Sequence, residues 1–297
     1  MTRVARVLAQ GKINVWLHVG PVFDGGYHRL ATFFQRIDLA DVVTVRVHDH
    51  AEESLRMSGP ALPAAGLGPD RENLAMRAAA AFRDRTGGWP AGFSIEIEKH
   101  IPVGGGLGGG SADAAAVLRA LNALAPEPLS RELYEGTALG LGSDVPFLVS
   151  DLVRAFGTGR GEKLTHMPAP FAPAAVVLVI PAFGVATADA YRWLDESGTR
   201  QFLSEEPPAF PPGEDGWKGL DRGNDFEPVV EARHPFIGQA RRRLQECGAS
   251  VARMSGSGST IFGLFSGASP TTQALGLDAK IIHTRTSDSV VAVEVRE

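Results

Sequence analysis

Ile101-Pro102-Val103-Gly104-Gly105-Gly106-Leu107-Gly108-Gly109-Gly110-Ser111-Ala112-Asp113, running on through an alanine stretch to Asn122, is the segment whose reading decides how this chain folds. Before it, Phe93-Ser94-Ile95-Glu96-Ile97-Glu98 alternates apolar and polar residues, the period of a half-buried strand. After it, Ala114, Val117, Leu118, Leu121 and Ala125 recur at helical spacing until Pro126 closes the segment. The pattern predicts strand, glycine loop, helix, with Ser111 near the helix cap and Asp113 in the first turn. Glycines leave no Cβ and permit positive φ, so successive backbone N–H groups can turn inward on an anion. The helix start adds its unpaired amides and the positive end of its dipole. Six glycines in the seven positions from 104 to 110 exceed what a packing turn needs, so a diphosphate or triphosphate is the expected guest.

The common phosphate loops do not fit. Gly104, Gly106 and Gly109 satisfy G-x-G-x-x-G, but a dinucleotide site wants an acid at a strand end about 20 residues on. Glu127 has the distance and is bracketed by Pro126 and Pro128, which put it in a turn. No Lys-Ser or Lys-Thr follows the last glycine, as a P-loop requires, and the H-R-D and D-F-G signatures of protein kinases are missing.

Composition narrows the field. A chain of 297 residues holds one large or two ordinary domains. Its 44% apolar and 21% charged content is that of a soluble globular protein. The formal charge of −5 provides no footprint for nucleic acid or an anionic membrane, so any bound anion must be held locally. Cys247 is the single cysteine, which excludes a disulfide framework and a thiolate metal cluster and fits a reducing cytoplasm. Gln10, Gly11, Lys12 and Asn14 interrupt the apolar N-terminal run, which reads as neither signal peptide nor spanning helix. The expected protein is cytoplasmic, without nucleic-acid or membrane partners; monomer and homodimer stay open.

The remaining signals fall in order along the chain. Val4 to Leu17 reads as a strand pair or one bent strand; Lys12 and Asn14 within it are unusual for a buried strand and fit a solvated edge equally well. Asp24-Gly25-Gly26 is turn chemistry that presents Tyr27 and His28, a pair that by itself also reads as packing. Asp41 to His48 alternates as a strand, residues 58–69 form a loop, and Asn73-Leu74 opens a helix through Phe82. Lys99 ends the strand before the glycine loop, either as an ordinary strand-end lysine or as a residue lying against a bound base. Ser130 caps a helix running to Gly140, and Asp144 follows at a helix-to-strand corner where Pro146 pushes Val145 toward extended geometry. Alone, Asp144 would read as a turn aspartate bonding its own backbone. A second glycine cluster runs from Gly157 to Glu162, and Pro168, Pro170 and Pro173 mark a linker that sets domains at 1–167 and 168–297. Beyond it come an apolar strand at 175–180, a helix capped by Thr187 and running through Leu194, a solvated loop at 204–216, a helical hairpin broken at Pro235, and a strand–glycine turn–strand unit from Ala252 to Phe262.

Taken together, Lys12-Ile13-Asn14, the glycine loop, Gly142-Ser143-Asp144-Val145-Pro146 and Ser255-Gly256-Ser257-Gly258 resemble, in order, the signatures of the GHMP kinases, the small-molecule kinases related to galactokinase, homoserine kinase and mevalonate kinase. The resemblance implies an α+β fold in two parts, a ribosomal-protein-S5-like ATP-binding domain followed by a ferredoxin-like domain, with the substrate between them. It implies that Lys12 and Asp144 are catalytic. It assigns ATP to Pro102, Val103, Gly104, Gly105, Gly106, Leu107, Gly108, Gly109, Gly110, Ser111 and Ala112, with Lys99 against the adenine, and expects Mg2+ without identifying its protein ligands. Tyr27-His28 and Asn224-Asp225-Phe226-Glu227-Pro228 point to the branch that phosphorylates a cytidine-diphosphate-linked polyol in non-mevalonate isoprenoid synthesis, with Asn14, Tyr27 and His28 on the substrate. The same residues argue against a homoserine or mevalonate kinase. A catalytically silent nucleotide-binding regulator on this fold is the alternative of a different class, and the intact Lys12 and Asp144 count against it. The chain departs from the family pattern at Gly11, at Ala112, and by an extra glycine before Tyr27.

Overall fold

A computed structural model describes residues 3–23, 25–168, 172–198, 206–207 and 216–296. Asp24 of the turn, Pro170 of the linker and most of the 204–216 loop lie outside the described residues.

The N-terminal segment is one strand, not two. β1 (Arg3–Phe23) pairs antiparallel with β2 (Tyr27–His48), with register shifts at Gln10/Lys12, Asn14/Trp16 and Val19/Val22. Each shift leaves an unpaired residue that bends the strand, which is how a hairpin this long follows a curved core. Because β2 is so long, its two halves take different partners. Residues 42–48 pair with β4 (Gly92–Glu98), which pairs parallel with β3 (Glu53–Ser58). Residues 32–35 pair with β5 (Arg154–Thr158), which in turn pairs with β6 (Lys163–His166).

Helices cover one face of this sheet. α1 (Leu74–Arg85), capped by the Asn73 side chain, packs on α2 (Gly109–Leu124), and α2 packs on β1 and β2. Ala114, Val117, Leu118 and Leu121 of α2 are fully buried, as their spacing predicts, against Phe33, Val43 and Ile95. Burial of each such aliphatic side chain contributes roughly 1.5–3 kcal/mol. α3 (Arg131–Leu141), capped by Ser130, leads through a short turn to α4 (Val145–Val149). Asp144 therefore stands at a helix-to-helix corner, and Val145 is helical, not extended. Pro146 is tolerated because it sits in the first turn, where the missing N–H has no intrahelical partner.

The second sheet runs β10 (Lys280–Arg285), β7 (Ala175–Ile180), β9 (Ile261–Phe265), β8 (Val251–Met254), all antiparallel. Its strands lie beyond the expected boundary at 167/168, but the last strand, β11 (Glu294–Arg296), returns to the edge of β1. The continuous apolar run of β7 has a simple cause. Val176 and Leu178 face the core shared with the first sheet, while Val177 and Val179 face a second core built with α5 (Thr187–Ser197), α6 (Glu227–Glu231) and α7 (Phe236–Glu246). A strand buried on both faces loses its polar alternation. Leu17 and Val19 of β1 belong to that second core, so the two halves are fastened through the first strand. Among the described residues no helix is long and apolar enough to cross a membrane.

Candidate active site

The glycine loop spans the gap between β4 and α2, and its shape is set by what it must touch. Gly104, Gly106 and Gly108 all have positive φ, near +75°, so the backbone zigzags through conformations that L side chains rarely adopt. Two of these three also lack room. A Cβ on Gly106 would drive into the Ser255 carbonyl, and one on Gly108 would lie 3.1 Å from both Cγ and Cε of Lys12. Backbone bonds tie the loop down from two sides. The Lys12 N–H donates to the Leu107 carbonyl at 3.0 Å, the Thr260 N–H to the Gly105 carbonyl at 3.2 Å, and the Ser255 hydroxyl to the Gly106 carbonyl at 2.9 Å. The turn between β8 and β9 thus packs on the glycine loop. That turn is held by Asn224, whose Nδ2 donates to the Met254 and Gly256 carbonyls. Glu227 accepts the Met254 N–H at 2.7 Å. Burial pushes its carboxyl up to about 7 against the pull of Arg253, this N–H and Arg241.

The helix begins at Gly109 with Gly108 as cap, three residues before the cap expected at Ser111, so Ser111 lies within the first turn. Pro102, Leu107 and Ala112 are buried; Val103 and Gly110 are exposed and Ser111 is half-buried.

Lys12 projects from β1 to the lip of this loop. Its Nζ lies 3.2 Å from Asp144 Oδ2 and donates to Asn14 Oδ1 at 2.7 Å. Asn14 Nδ2 donates to the Thr32 hydroxyl, which donates to the Trp16 carbonyl. The ammonium also lies 5.7 Å from the Phe34 ring centroid. This chain of bonds explains a lysine and an asparagine inside a strand: Lys12 is 3% exposed with its ammonium on Asn14 and Asp144, and Asn14 supports it. The Asp144 side chain is 29% exposed, so one carboxylate edge stays accessible.

Lys99 does something other than face a base. It is 1% exposed, and its ammonium is gripped by Asp41 and by Asp113 at 2.6 Å. Asp41 also accepts the His100 and Ile101 N–H groups that open the glycine loop. Desolvation alone would lower the Lys99 pKa, but the two carboxylates outweigh it and the net shift is upward. Burial, reinforced by Asp41, raises Asp113 despite Lys99. The adenine role expected for this side chain gives way to a buried ion triad beneath the loop.

Tyr27 and His28 open β2. Tyr27 is 49% exposed, with the Arg160 guanidinium 3.8 Å from its ring centroid. His28 lies 3.1 Å from the Gly20 carbonyl through Nδ1 and 3.4 Å from Asp195 through Nε2, and its ring stacks on Tyr191 at 5.0 Å. Tyr191 is half-buried, and desolvation of its hydroxyl, with the nearby Asp144 and Asp195 charges, pushes its pKa up to about 12. Tyr191 thus joins His28 to the Asp144 end of the site. Sequence reasoning missed it because its partner comes from the other half of the chain. Arg160 lies within the flagged 157–162 cluster, but nothing local distinguished it from a loop cation.

A glycine loop beside a lysine–aspartate pair, the lysine buried and the aspartate partly exposed, has the geometry of a small-molecule kinase site. Known proteins agree. The family description "GHMP kinases N terminal domain" matches residues 73–151 and "GHMP kinases C terminal" matches 217–278. The 4-diphosphocytidyl-2-C-methyl-D-erythritol kinase of Anaeromyxobacter dehalogenans (strain 2CP-1 / ATCC BAA-258) is 44% identical over 88% of this chain and 80% of its own length. That of Syntrophotalea carbinolica is 40% identical over 87% and 89%. A crystal structure of 4-(cytidine 5'-diphospho)-2C-methyl-D-erythritol kinase, 32% identical, superposes with a TM-score of 0.72 over 95% of this chain and 99% of its own. Homoserine kinase from Cytophaga hutchinsonii, at 17% identity and a TM-score of 0.65, shares the fold. The chain belongs to the GHMP kinases and, within them, to the family of 4-diphosphocytidyl-2-C-methyl-D-erythritol kinases.

Proposed function

We propose that this kinase transfers the γ-phosphoryl group of ATP to the 2-hydroxyl of 4-diphosphocytidyl-2-C-methyl-D-erythritol. The observation that carries the reading is the Lys12–Asp144 pair, 3.2 Å apart beside Gly108 at the lip of the anion loop. Phosphoryl transfer asks a protein for alignment and charge neutralisation more than for covalent chemistry. Asp144 accepts the proton of the attacking hydroxyl. The new bond forms between the 2-oxygen and the γ-phosphorus as the bond to the β-phosphate oxygen breaks, and ADP leaves. Lys12 holds the Asp144 carboxylate and draws charge from the transferring oxygens. The backbone amides from Gly104 to Ser111 hold the phosphates.

Magnesium is expected with the nucleotide. Among the described residues no group of three His, Cys, Asp or Glu converges, and Asp113, next to the loop, is engaged by Lys99. Such a donor set fits an ion that would be carried mainly by phosphates and water, with the Ser111 hydroxyl as the candidate protein ligand. When bound, the ion neutralises charge on the β- and γ-phosphates. For the base, Tyr27 and Tyr191 offer aromatic faces and His28 a ring nitrogen. The reaction belongs in the cytoplasm, where the lone Cys247 stays reduced.

An ATP-consumption assay against the cytidine diphosphate alcohol, homoserine, mevalonate and galactose tests this reading. Turnover with the first alone is expected; turnover with any of the others and not with the first would overturn it.

A further inference from the structure

The helix that begins at Asp144 is only five residues long, too short to hold its own shape. Its chain leaves the helix after Val149, where the Ser150 N–H and hydroxyl both reach back to the Phe147 carbonyl. Arg36 binds the same end. Its Nε donates to the Leu152 carbonyl at 2.9 Å, and one terminal nitrogen donates to the carbonyls of Phe147 at 2.8 Å, Leu148 at 3.0 Å and Ser150 at 2.8 Å. The side chain is 1% exposed and lies 5.0 Å from the Phe147 ring centroid, while Phe147 stacks on Phe34. Burial lowers the guanidinium to about 9, with repulsion from Arg119 adding and Asp151 opposing, so it keeps its charge at neutral pH. A cation is also the favoured charge at a helix C-terminus.

The register of the hairpin gives this cap a second meaning. Lys12 and Arg36 are directly opposed on β1 and β2, and opposed residues project from the same face. The two cations therefore reach the two ends of one helix: Lys12 meets Asp144 at its start, and Arg36 binds its end. The Asp144 side chain makes no capping bond to its own helix. Its place opposite Lys12 is inherited from where α4 sits, and one rigid guanidinium, its three N–H groups shared among the Phe147 and Leu148 carbonyls of the helix and the Ser150 and Leu152 carbonyls just after it, opposes both sliding and rotation of that short helix.

We propose that Arg36 is a positioning residue for phosphoryl transfer, which holds Asp144 at Lys12 by clamping the far end of α4. This rests on the reading of Asp144 as the proton acceptor. Nothing in the motif around Arg36 announces the role; it follows from the register pair and the carbonyl cluster.

The test uses the full chain with Arg36→Lys, Arg36→Met, Asp144→Asn and the double variant Arg36→Lys/Asp144→Asn. Calorimetric titration with ATP measures both the folded fraction and nucleotide affinity, and kcat is measured well below each Tm. Arg36→Met should lower kcat about ten- to a hundredfold, since small misplacements of reacting groups cost that much, with the ATP Kd within about twofold. Arg36→Lys keeps the charge but not the planar fork and should lose less. In the Asp144→Asn background Arg36→Lys should cost nothing further, because no carboxylate remains to be placed. Full kcat in both Arg36 variants, an equal loss in the Asp144→Asn background, or loss of ATP-binding stoichiometry in both would make Arg36 a fold cap only. Near-wild-type kcat in Asp144→Asn alone would instead sink the reading of Asp144, and this proposal with it.

Discussion

Gly104 and Gly108 allow the strain of the loop to be separated from its contacts. Both have φ near +74°, and alanine held there costs about 1–2 kcal/mol. Around Gly104 a Cβ would meet nothing within 4 Å, so Gly104→Ala pays the backbone term alone. At Gly108 the new methyl would also sit 3.1 Å from Cγ and Cε of Lys12 and 3.4 Å from Leu148 Cδ1, so the lysine must yield by a few tenths of an ångström. That displacement acts directly on the 3.2 Å pair with Asp144. If the strain is drawn from nucleotide binding, 1–2 kcal/mol corresponds to an ATP affinity lower by about five- to thirtyfold in both variants. Only Gly108→Ala should add a fall in kcat, by about tenfold or more. Calorimetry with ATP, steady-state kinetics and circular dichroism to verify the fold give the three readouts. Folded variants with unchanged ATP affinity and equal kcat would mean that the loop neither cradles phosphate nor sets Lys12.

The other outcomes follow from the same geometry. Tyr27→Ala should raise KM for the cytidine substrate about ten- to a hundredfold with little change for ATP, on the scale of roughly 1–3 kcal/mol per stacked base; His28→Ala should also weaken preference for cytidine over uridine analogues. Parallel loss of ATP and cytidine affinity would make the pair structural. Lys99→Met leaves Asp41 and Asp113 buried without their cation, and denaturant unfolding should register a loss of about 3–5 kcal/mol; unchanged stability would contradict the triad. Glu227 has a folded pKa raised to about 7, so its folded form holds a proton that the unfolded chain releases near 4.5. Its contribution is complete below pH 4.5 and lost as pH rises through 7, on the order of 3 kcal/mol. Glu227→Gln should therefore flatten the decline in Tm across that window, and an unaltered slope would refute the assignment.

Local patterns were legible wherever one element decides its own fate. The strand at 92–98 and the strand–turn–strand unit at 251–265 are where periodicity and glycine place them, and the helix of the glycine segment forms as expected but takes in Gly109 and Gly110. The glycine segment was readable as a loop with positive-φ positions, because runs of glycine have few other uses. What stayed hidden depends on partners far away in sequence. Lys99 read equally as a strand-end lysine or as a residue against a bound base, because Asp41, 58 residues earlier, does not advertise that it is buried. Tyr191 shows no signal on its own helix, and its meaning comes from His28 across the two halves. The corner at Val145-Pro146 was misread for a physical reason: proline disfavours a helical residue before it, but a helix's first turn tolerates the pair.

The most direct measurement is the turnover of Asp144→Asn, a nearly isosteric change that leaves the carboxamide beside Lys12 but removes the proton acceptor. With ATP and the cytidine diphosphate alcohol, kcat should fall about 10²- to 10⁴-fold while the ATP Kd stays within about twofold. A folded Asp144→Asn enzyme that turns over at close to the wild-type rate would contradict the account at its centre.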